Sequence, residues 1–265
     1  MKYLSVVAVL KDEEPNLREW LDFHKGVGVD HFYLYDNGST DNTPDLLQPY
    51  IKAGEVTYSY NTMDMCQMAC YYNALTAFTD QSRWMAFIDL DEFLFSPKGD
   101  LKTTLKDYEP YPGIAVNEVF FGSNGHVRRP AGGVLKNYTK RRKSVDRHIK
   151  SICQPGATLC SAHNPHSFIY SQGTPVNENK KPCRGPFNEP GSADILRVNH
   201  YWVKSKEEYE SKLTRGRADV PSRDPRFRYT TGVGRKLNDV WKQDNEVEDT
   251  LILDYVKNKN HLRLV

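Results

Sequence analysis

The chain has 265 residues, 38% hydrophobic, 12% aromatic and 26% charged, which suits one large α/β domain or a domain with a C-terminal extension and excludes a disordered chain. A net charge of +2 argues against nucleic acid as a partner. The five cysteines, Cys66, Cys70, Cys153, Cys160 and Cys183, are odd in number and contain no Cys-x-x-Cys pair, which points away from zinc and from a disulfide framework.

Leu4 to Leu10 reads as the first strand, rich in valine and continuously apolar. It is too short to span a membrane, and Lys11-Asp12-Glu13-Glu14 follows without a signal-peptide pattern, so the expected location is cytoplasmic. The acidic residues and Pro15 open a helix with Leu17, Trp20, Leu21 and His24 on one stripe, and Gly26 and Gly28 end it. His24 on that stripe reads as a packed core histidine. His31 to Tyr35 is a second strand and runs into the polar loop Asp36-Asn37-Gly38-Ser39-Thr40-Asp41. Thr43 and Pro44 begin a second helix, stopped at Gly54, with Thr43 expected to cap it. Glu55 to Tyr60 is a third strand, and a third helix covers about Asp64 to Phe78.

The fourth strand, Trp84-Met85-Ala86-Phe87-Ile88, is apolar without alternation, as expected for burial on both faces, and ends in Asp89-Leu90-Asp91-Glu92. In continued strand geometry Asp89 and Asp91 would point the same way and could share one hard cation, Mg²⁺ or Mn²⁺. An Asp-x-Asp pair alone carries little weight, because such pairs also cap helices and fill turns. Its context adds to it. The strand–helix alternation over the first ~95 residues implies a parallel, helix-covered sheet, and parallel strands bring the Lys11–Glu13, Asp36–Gly38 and Asp89–Asp91 loops to one edge. The Gly-rich fingerprint of a dinucleotide site, the P-loop and the Gly-x-Ser-x-Gly elbow are all missing.

Beyond Asp91 the pattern loosens. Asp100 to Tyr108 reads as a short helix and Ile114 to Phe121 as a strand. Residues 127–195 are irregular, with strand-like pieces at Val134-Leu135 and Ser167 to Tyr170. Ile195 to Trp202 is a further strand, after which Ser205 and Glu208 form a capping box on a helix ending near Arg215-Gly216. The tail from Leu237 reads mainly helical, with Val240, Trp241, Leu251, Leu253, Tyr255 and Val256 available for packing. Lys140 to Lys150 carries six basic residues, a solvated face or an attractor for a phosphorylated donor or an anionic membrane surface.

Strand-Lys-Asp-Glu-Glu, Tyr-Asp-Asn-Gly-Ser-Thr-Asp and Ile-Asp-Leu-Asp-Glu-Phe together resemble the GT-A nucleotide-sugar glycosyltransferases, above all glycosyltransferase family 92 and family-2-like enzymes. Glu19-Trp20 with His24, Phe121 to His126, Lys150-Ser151-Ile152, His166, Asn199-His200-Tyr201 and Lys212-x-x-Arg215-Gly216 add to the likeness, which covers roughly residues 3–218. It implies a GT-A, Rossmann-like α/β fold with a mostly parallel central sheet. The catalytic domain would be 1–218, with a nucleotide-binding half to about 95 and an acceptor-side half over 96–218, and 219–265 would be a helical extension. It further implies inverting transfer of a hexose or pentose, galactose-like, from a UDP-sugar to a saccharide hydroxyl with Mn²⁺ or Mg²⁺. The metal ligands would be Asp89, Asp91 and His200. Nucleotide-sugar contacts would come from Lys11, Glu13, Asp36, Asn73, Asp89, Lys150, Lys212 and Arg215. Asn37 departs from the second aspartate more usual in the family-2 pattern.

An inverting enzyme needs a base for the acceptor hydroxyl, and Glu118, His126, Asp146 and His166 are all candidates. Glu92 reads as a supporting hydrogen-bonding residue. The competing readings are a nucleotidyltransferase on the same metal site, which would release pyrophosphate, and a non-catalytic glycan-binding protein with tyrosine and tryptophan stacking surfaces.

Overall fold

The structure, a computed structural model, describes residues 1–215, 218–219 and 241–259. The elements are β1 (Lys2–Leu10), α1 (Glu14–Gly26), β2 (His31–Asp36), α2 (Thr43–Lys52), β3 (Val56–Tyr60), α3 (Cys66–Ala77), β4 (Ser82–Phe87), β5 (Glu92–Phe95), α4 (Leu101–Lys106) and β6 (Gly113–Phe120). They continue with α5 (Val134–Asn137), β7 (Lys140–Arg141), β8 (Ile149–Cys153), β9 (Thr158–Ser161), β10 (Phe168–Tyr170), β11 (Val176–Asn177), β12 (Arg197–His200), α6 (Lys206–Arg215), β13 (Val247–Glu248) and α7 (Leu251–Lys257). No helix among the described residues is long and apolar enough to cross a membrane.

The alternating strands and helices of the first 95 residues build the parallel half of an α/β sheet, ordered β3-β2-β1-β4. Val7 pairs with Tyr33 on one side and Phe87 on the other. The sheet then continues β8-β6-β12-β5, with β11 beside β6. Here it is mixed: β8 runs antiparallel to β4 and β6, and β5 antiparallel to β12. Both faces are covered, which is why β1 and β4 need unbroken apolar runs. Leu4, Val6, Ala8 and Leu10 pack with Leu17, Trp20 and Leu21 of α1, while Val7 packs with Tyr33, Phe87, Cys70 and Tyr71 toward α3.

Several local expectations change. β4 ends at Phe87, so Asp89 and Asp91 lie in a turn and not on continued strand. Thr43 does not cap α2; its Oγ1 accepts from the Glu13 amide at 2.9 Å and so ties the loops after β1 and β2 together. Val134-Leu135 begins the short helix α5, because the buried Glu19 carboxylate accepts from the Val134 and Leu135 amides. A Cβ at Gly133 would collide with that carboxylate. In the tail only α7 is helical among the described residues; 241–250 carries β13, which pairs with β7 and satisfies that backbone in a ladder. Gly216, Leu237 and Val240 lie outside the described residues. The Ser205–Glu208 capping box is present, with the Ser205 Oγ donating to Glu208 at 2.7 Å and the Glu208 amide donating to Ser205 Oγ at 3.2 Å.

Helix α1 fixes the strand after the Asp-x-Asp turn. Trp20 Nε1 donates to the Glu92 carbonyl at 2.8 Å, and the Leu94 amide donates to His24 Nε2 at 3.2 Å. His24 Nδ1 lies 2.8 Å from the Trp20 carbonyl, which can only accept, so Nδ1 carries the proton and Nε2 the lone pair. His24 is the core histidine expected from its stripe; burial pushes its pKa down to about 3.

This has a pH signature. Between the folded value near 3 and the ordinary 6.5 the unfolded chain binds a proton that the folded chain does not, so this contribution is complete above 6.5 and declines as pH falls. His24→Ala leaves a cavity and an unpaired Leu94 amide, at an expected cost of about 2–4 kcal/mol at neutral pH, and flattens the acid limb of the stability profile. Denaturant unfolding across pH 4–8 checks both; a neutral-pH midpoint equal to wild type would contradict this account of His24.

Candidate functional site

A cleft of about 240 Å³ opens at the C-terminal ends of β1 and β4, the sheet edge where the sequence brings its polar loops together. The Leu90-Asp91 turn closes with the Glu92 amide donating to the Asp89 carbonyl at 3.1 Å, and it sends the two aspartates to different partners. Asp89 accepts from Lys150 Nζ at 2.6 Å and from Gln67 Nε2 at 3.2 Å. Asp91 accepts from Lys212 Nζ at 2.5 Å, and His200 Nε2 stands 3.5 Å from its other oxygen.

Beneath them lies a buried charge cluster. Glu92 is fully buried, with Oε2 accepting from the Asp89 amide at 2.9 Å and Oε1 3.1 Å from Lys150 Nζ. His200 Nδ1 stands 3.4 Å from Glu92 and 3.5 Å from Glu118. Asp89, Asp91, Glu92 and Glu118 face the Lys150 and Lys212 ammonium groups and the His200 imidazole, and the balance among these charges shapes the protonation here. Burial pushes the Glu92 carboxyl up, to about 8, despite Lys150. Burial disfavours the His200 imidazolium, but Asp91, Glu92 and Glu118 outweigh it and hold its pKa up at about 10. Burial likewise opposes the charge on Asp91, yet Lys212 and His200 keep it well below the usual carboxylate range. Lys150 stays charged because Asp89 and Glu92 outweigh its desolvation.

One oxygen each from Asp91 and Glu92 and one nitrogen of His200 lie within 4.8 Å of one another. Glu92 Oε1 and His200 Nδ1 are buried and make no hydrogen bond beyond the ion-pair approach of Lys150 to Glu92. Two hard oxygen donors and one imidazole suit a divalent cation. Asp89, which the family likeness implies as a further ligand, is bonded to Lys150 and Gln67 in this structure.

Lys11, Glu13, Asp89, Asp91, Lys150, His166, His200, Lys212 and Arg215 all line the cleft. Arg215 Nη1 lies 2.6 Å from Glu13 Oε1 and 2.6 Å from the Lys11 carbonyl, so α6 is tied to the loop after β1. Asp36 does not line it. That side chain is fully buried, accepting from the Ser39 amide and the Tyr58 hydroxyl, and the neighbouring Asn37 lines the cleft instead. Asn73 is exposed on α3 and accepts from Tyr35. Among the base candidates, Glu118 is buried behind His200, His126 packs on Tyr138 and the Asn137 carbonyl, and Asp146 is held by Arg142 and His148.

The basic run 140–150 is partly consumed inside the fold. Arg141 pairs with Asp249, Arg142 with Asp146 and Asp244, and Lys150 with Asp89; Lys140, Lys143 and Arg147 remain exposed. Gln67, Phe120 and Trp202 also line the cleft and were not anticipated. A polar residue at the start of an otherwise apolar helix was the one signal available for Gln67.

The model of glycosyltransferase family 92 matches residues 7–220. The chain belongs to glycosyltransferase family 92. It is 28% identical to a family 92 protein of Oryza sativa subsp. japonica over 96% of this chain and 44% of that protein. It is 24% identical to a galactan β-1,4-galactosyltransferase of Arabidopsis thaliana over 65% of this chain and 41% of that protein. The chain thus spans less than half the length of these relatives. Among solved structures, S. aureus TarS in complex with UDP-GlcNAc is 14% identical, with a TM-score of 0.39, over 58% of this chain and 46% of that one.

Lys150→Met tests the cluster. It leaves Asp89 and Glu92 without their shared cation at a buried site, at an expected cost of about 3–5 kcal/mol. Chemical denaturation measures it, and a variant as stable as wild type would show that Lys150 is not the neutralising charge.

Proposed function

We propose that this family 92 chain transfers a hexose, galactose-like, from a UDP-sugar to a saccharide hydroxyl with inversion, using Mn²⁺ or Mg²⁺. The observation that carries this reading is the convergence of Asp91, His200, Lys212 and Arg215 on one cleft, with the buried Glu92 carboxylate behind Asp91 and His200. The galactan β-1,4-galactosyltransferase relatives favour galactose as the sugar.

Asp91, Glu92 and His200 would hold the cation, with the single imidazole favouring Mn²⁺. When bound, the cation supplies Lewis-acid stabilisation of the diphosphate leaving group. Lys212 and Arg215 add positive charge where negative charge grows as the glycosidic bond breaks. Lys150 fixes the Asp89 carboxylate in place through their 2.6 Å contact. The acceptor hydroxyl must give up its proton as its oxygen attacks the anomeric carbon from the face opposite the leaving group.

Of the four base candidates, His166 is the one that lines the cleft. The Asn164 side chain sets its backbone, accepting from the amides of His166 and Ser167 at 2.9 and 3.0 Å. Its Nδ1 lies 3.0 Å from the Ile149 carbonyl and therefore carries the ring proton, which leaves the lone pair on Nε2. Burial and then the Lys150 charge lower its pKa, so the ring is neutral at pH 7 and able to accept. These features support His166 as the base.

The tests are direct. Asp91→Asn should keep the fold, read by circular dichroism, and reduce Mn²⁺-dependent UDP release from UDP-galactose by at least ~10³-fold. Undiminished transfer would sink the metal-dependent reading. His166→Ala should lower kcat by about 10²–10⁴-fold while UDP affinity, measured by calorimetry, stays as in wild type. A wild-type kcat in that variant would move the base elsewhere.

A further inference from the structure

One contact in the cleft sets a cation of the chain itself against the metal ion proposed above. Lys212, in the last turn of α6, donates from Nζ to Asp91 Oδ2 at 2.5 Å and to the Trp202 carbonyl at 3.2 Å. The other Asp91 oxygen faces His200, with Nε2 3.5 Å away. Asp91, Glu92 and His200 are the group that fits a divalent cation. Such an ion would therefore share the Asp91 carboxylate with the lysine ammonium. Lys212 and Asp91 are only 13% and 12% exposed, so water screens the repulsion between the two cations poorly. The carboxylate can serve either cation well, but not both at once.

The fastening of α6 shows how the lysine can give way. Further along the same turn, Arg215 Nη1 bonds the Lys11 carbonyl and Glu13 Oε1, each at 2.6 Å. Beyond the helix, the Ala218 carbonyl accepts from the Gln67 amide at 3.2 Å, at the start of α3. The backbone that carries Lys212 is thus held by contacts other than its own ammonium. A lysine is a compact point charge on a long flexible stem, so it can leave Asp91 while the helix stays in place. Whatever draws it off must lie in the same cleft and carry more negative charge than one carboxylate. A nucleotide diphosphate meets both conditions.

We propose that Lys212 is an internal counter-ion of Asp91 that competes with the divalent cation and passes to the diphosphate when the nucleotide binds, so that cation and nucleotide are taken up as a pair. The proposal rests on the metal-dependent reading above and adds a coupling to it: the chain without nucleotide holds the cation weakly, because its own lysine stands on the carboxylate. Binding, not turnover, tests this. Mn²⁺ is titrated into the purified chain with and without UDP, and the electron paramagnetic resonance signal of the free ion is read. Lys212→Met should tighten nucleotide-free Mn²⁺ binding about tenfold, weaken UDP binding at saturating Mn²⁺ by a similar factor, and so shrink the gain in Mn²⁺ affinity that UDP confers. Lys212→Arg, which keeps the charge, should hold nucleotide-free Mn²⁺ at the wild-type level. Lys212→Gln should follow the methionine variant and covers the case in which that variant does not fold, read by circular dichroism. Nucleotide-free Mn²⁺ binding in the uncharged variants equal to or weaker than wild type, or an arginine variant that binds as tightly as they do, would overturn the counter-ion role while leaving the metal-dependent reading intact. Absence of Mn²⁺ binding in the wild type and in every variant, with UDP present, would instead remove the reading beneath it and the proposal with it.

Discussion

The site depends on one buried ammonium. Lys150 is 1% exposed, yet it carries a full charge between Asp89 and Glu92. Without it, carboxylates clustered at the end of a sheet would repel one another in a medium that screens poorly. With it, Asp89 is pulled to one side of the turn and Asp91 is left to the other. A lysine on the antiparallel strand β8 thereby sends the two aspartates of the Asp-x-Asp pair, both lining the cleft, to different partners.

The scaffold around this pair is built to hold it still. Trp20 and His24 on α1 hydrogen-bond the backbone of β5 on either side of Phe93, immediately after the turn. Thr43 and Arg215 join the loop after β1 to α2 and α6. Residues that share no local pattern thus serve a common end, the orientation of a few side chains to within a fraction of an ångström, which group transfer requires. The Glu19-Trp20…His24 group, part of the family likeness, has a physical role in this: Glu19 caps α5, and the other two fasten β5.

Much of the architecture was legible because it is periodic. Continuous apolar runs marked β1 and β4 as doubly covered strands, and helical stripes marked α1 to α3. The convergence of the loops after β1 and β4 followed from parallel topology alone. The misreadings share a cause. Val134-Leu135 is helical because a carboxylate more than a hundred residues earlier caps it, and 241–250 is extended because β7 offers it a ladder. Neither partner is visible from within the segment. Asp36 seemed a ligand-facing carboxylate, but Tyr58 on the adjacent strand and the Ser39 amide turn it inward.

The sequence by itself determined the α/β class, the strand–helix order of the first 95 residues, the edge at which the cleft opens and the likeness to family 92. These follow from local spacing, because hydrophobic period and turn chemistry act between near neighbours. Only the tertiary structure decided that Asp91, Glu92 and His200 gather within 4.8 Å of one another while Asp89 turns to Lys150 and Gln67, and that His166 lines the cleft with its Nδ1 on the Ile149 carbonyl. Those outcomes turn on Lys150, Gln67 and the Ile149 carbonyl, each brought in by sheet pairing or helix packing from a distant part of the chain, at distances where a shift of one ångström exchanges one hydrogen-bond partner for another.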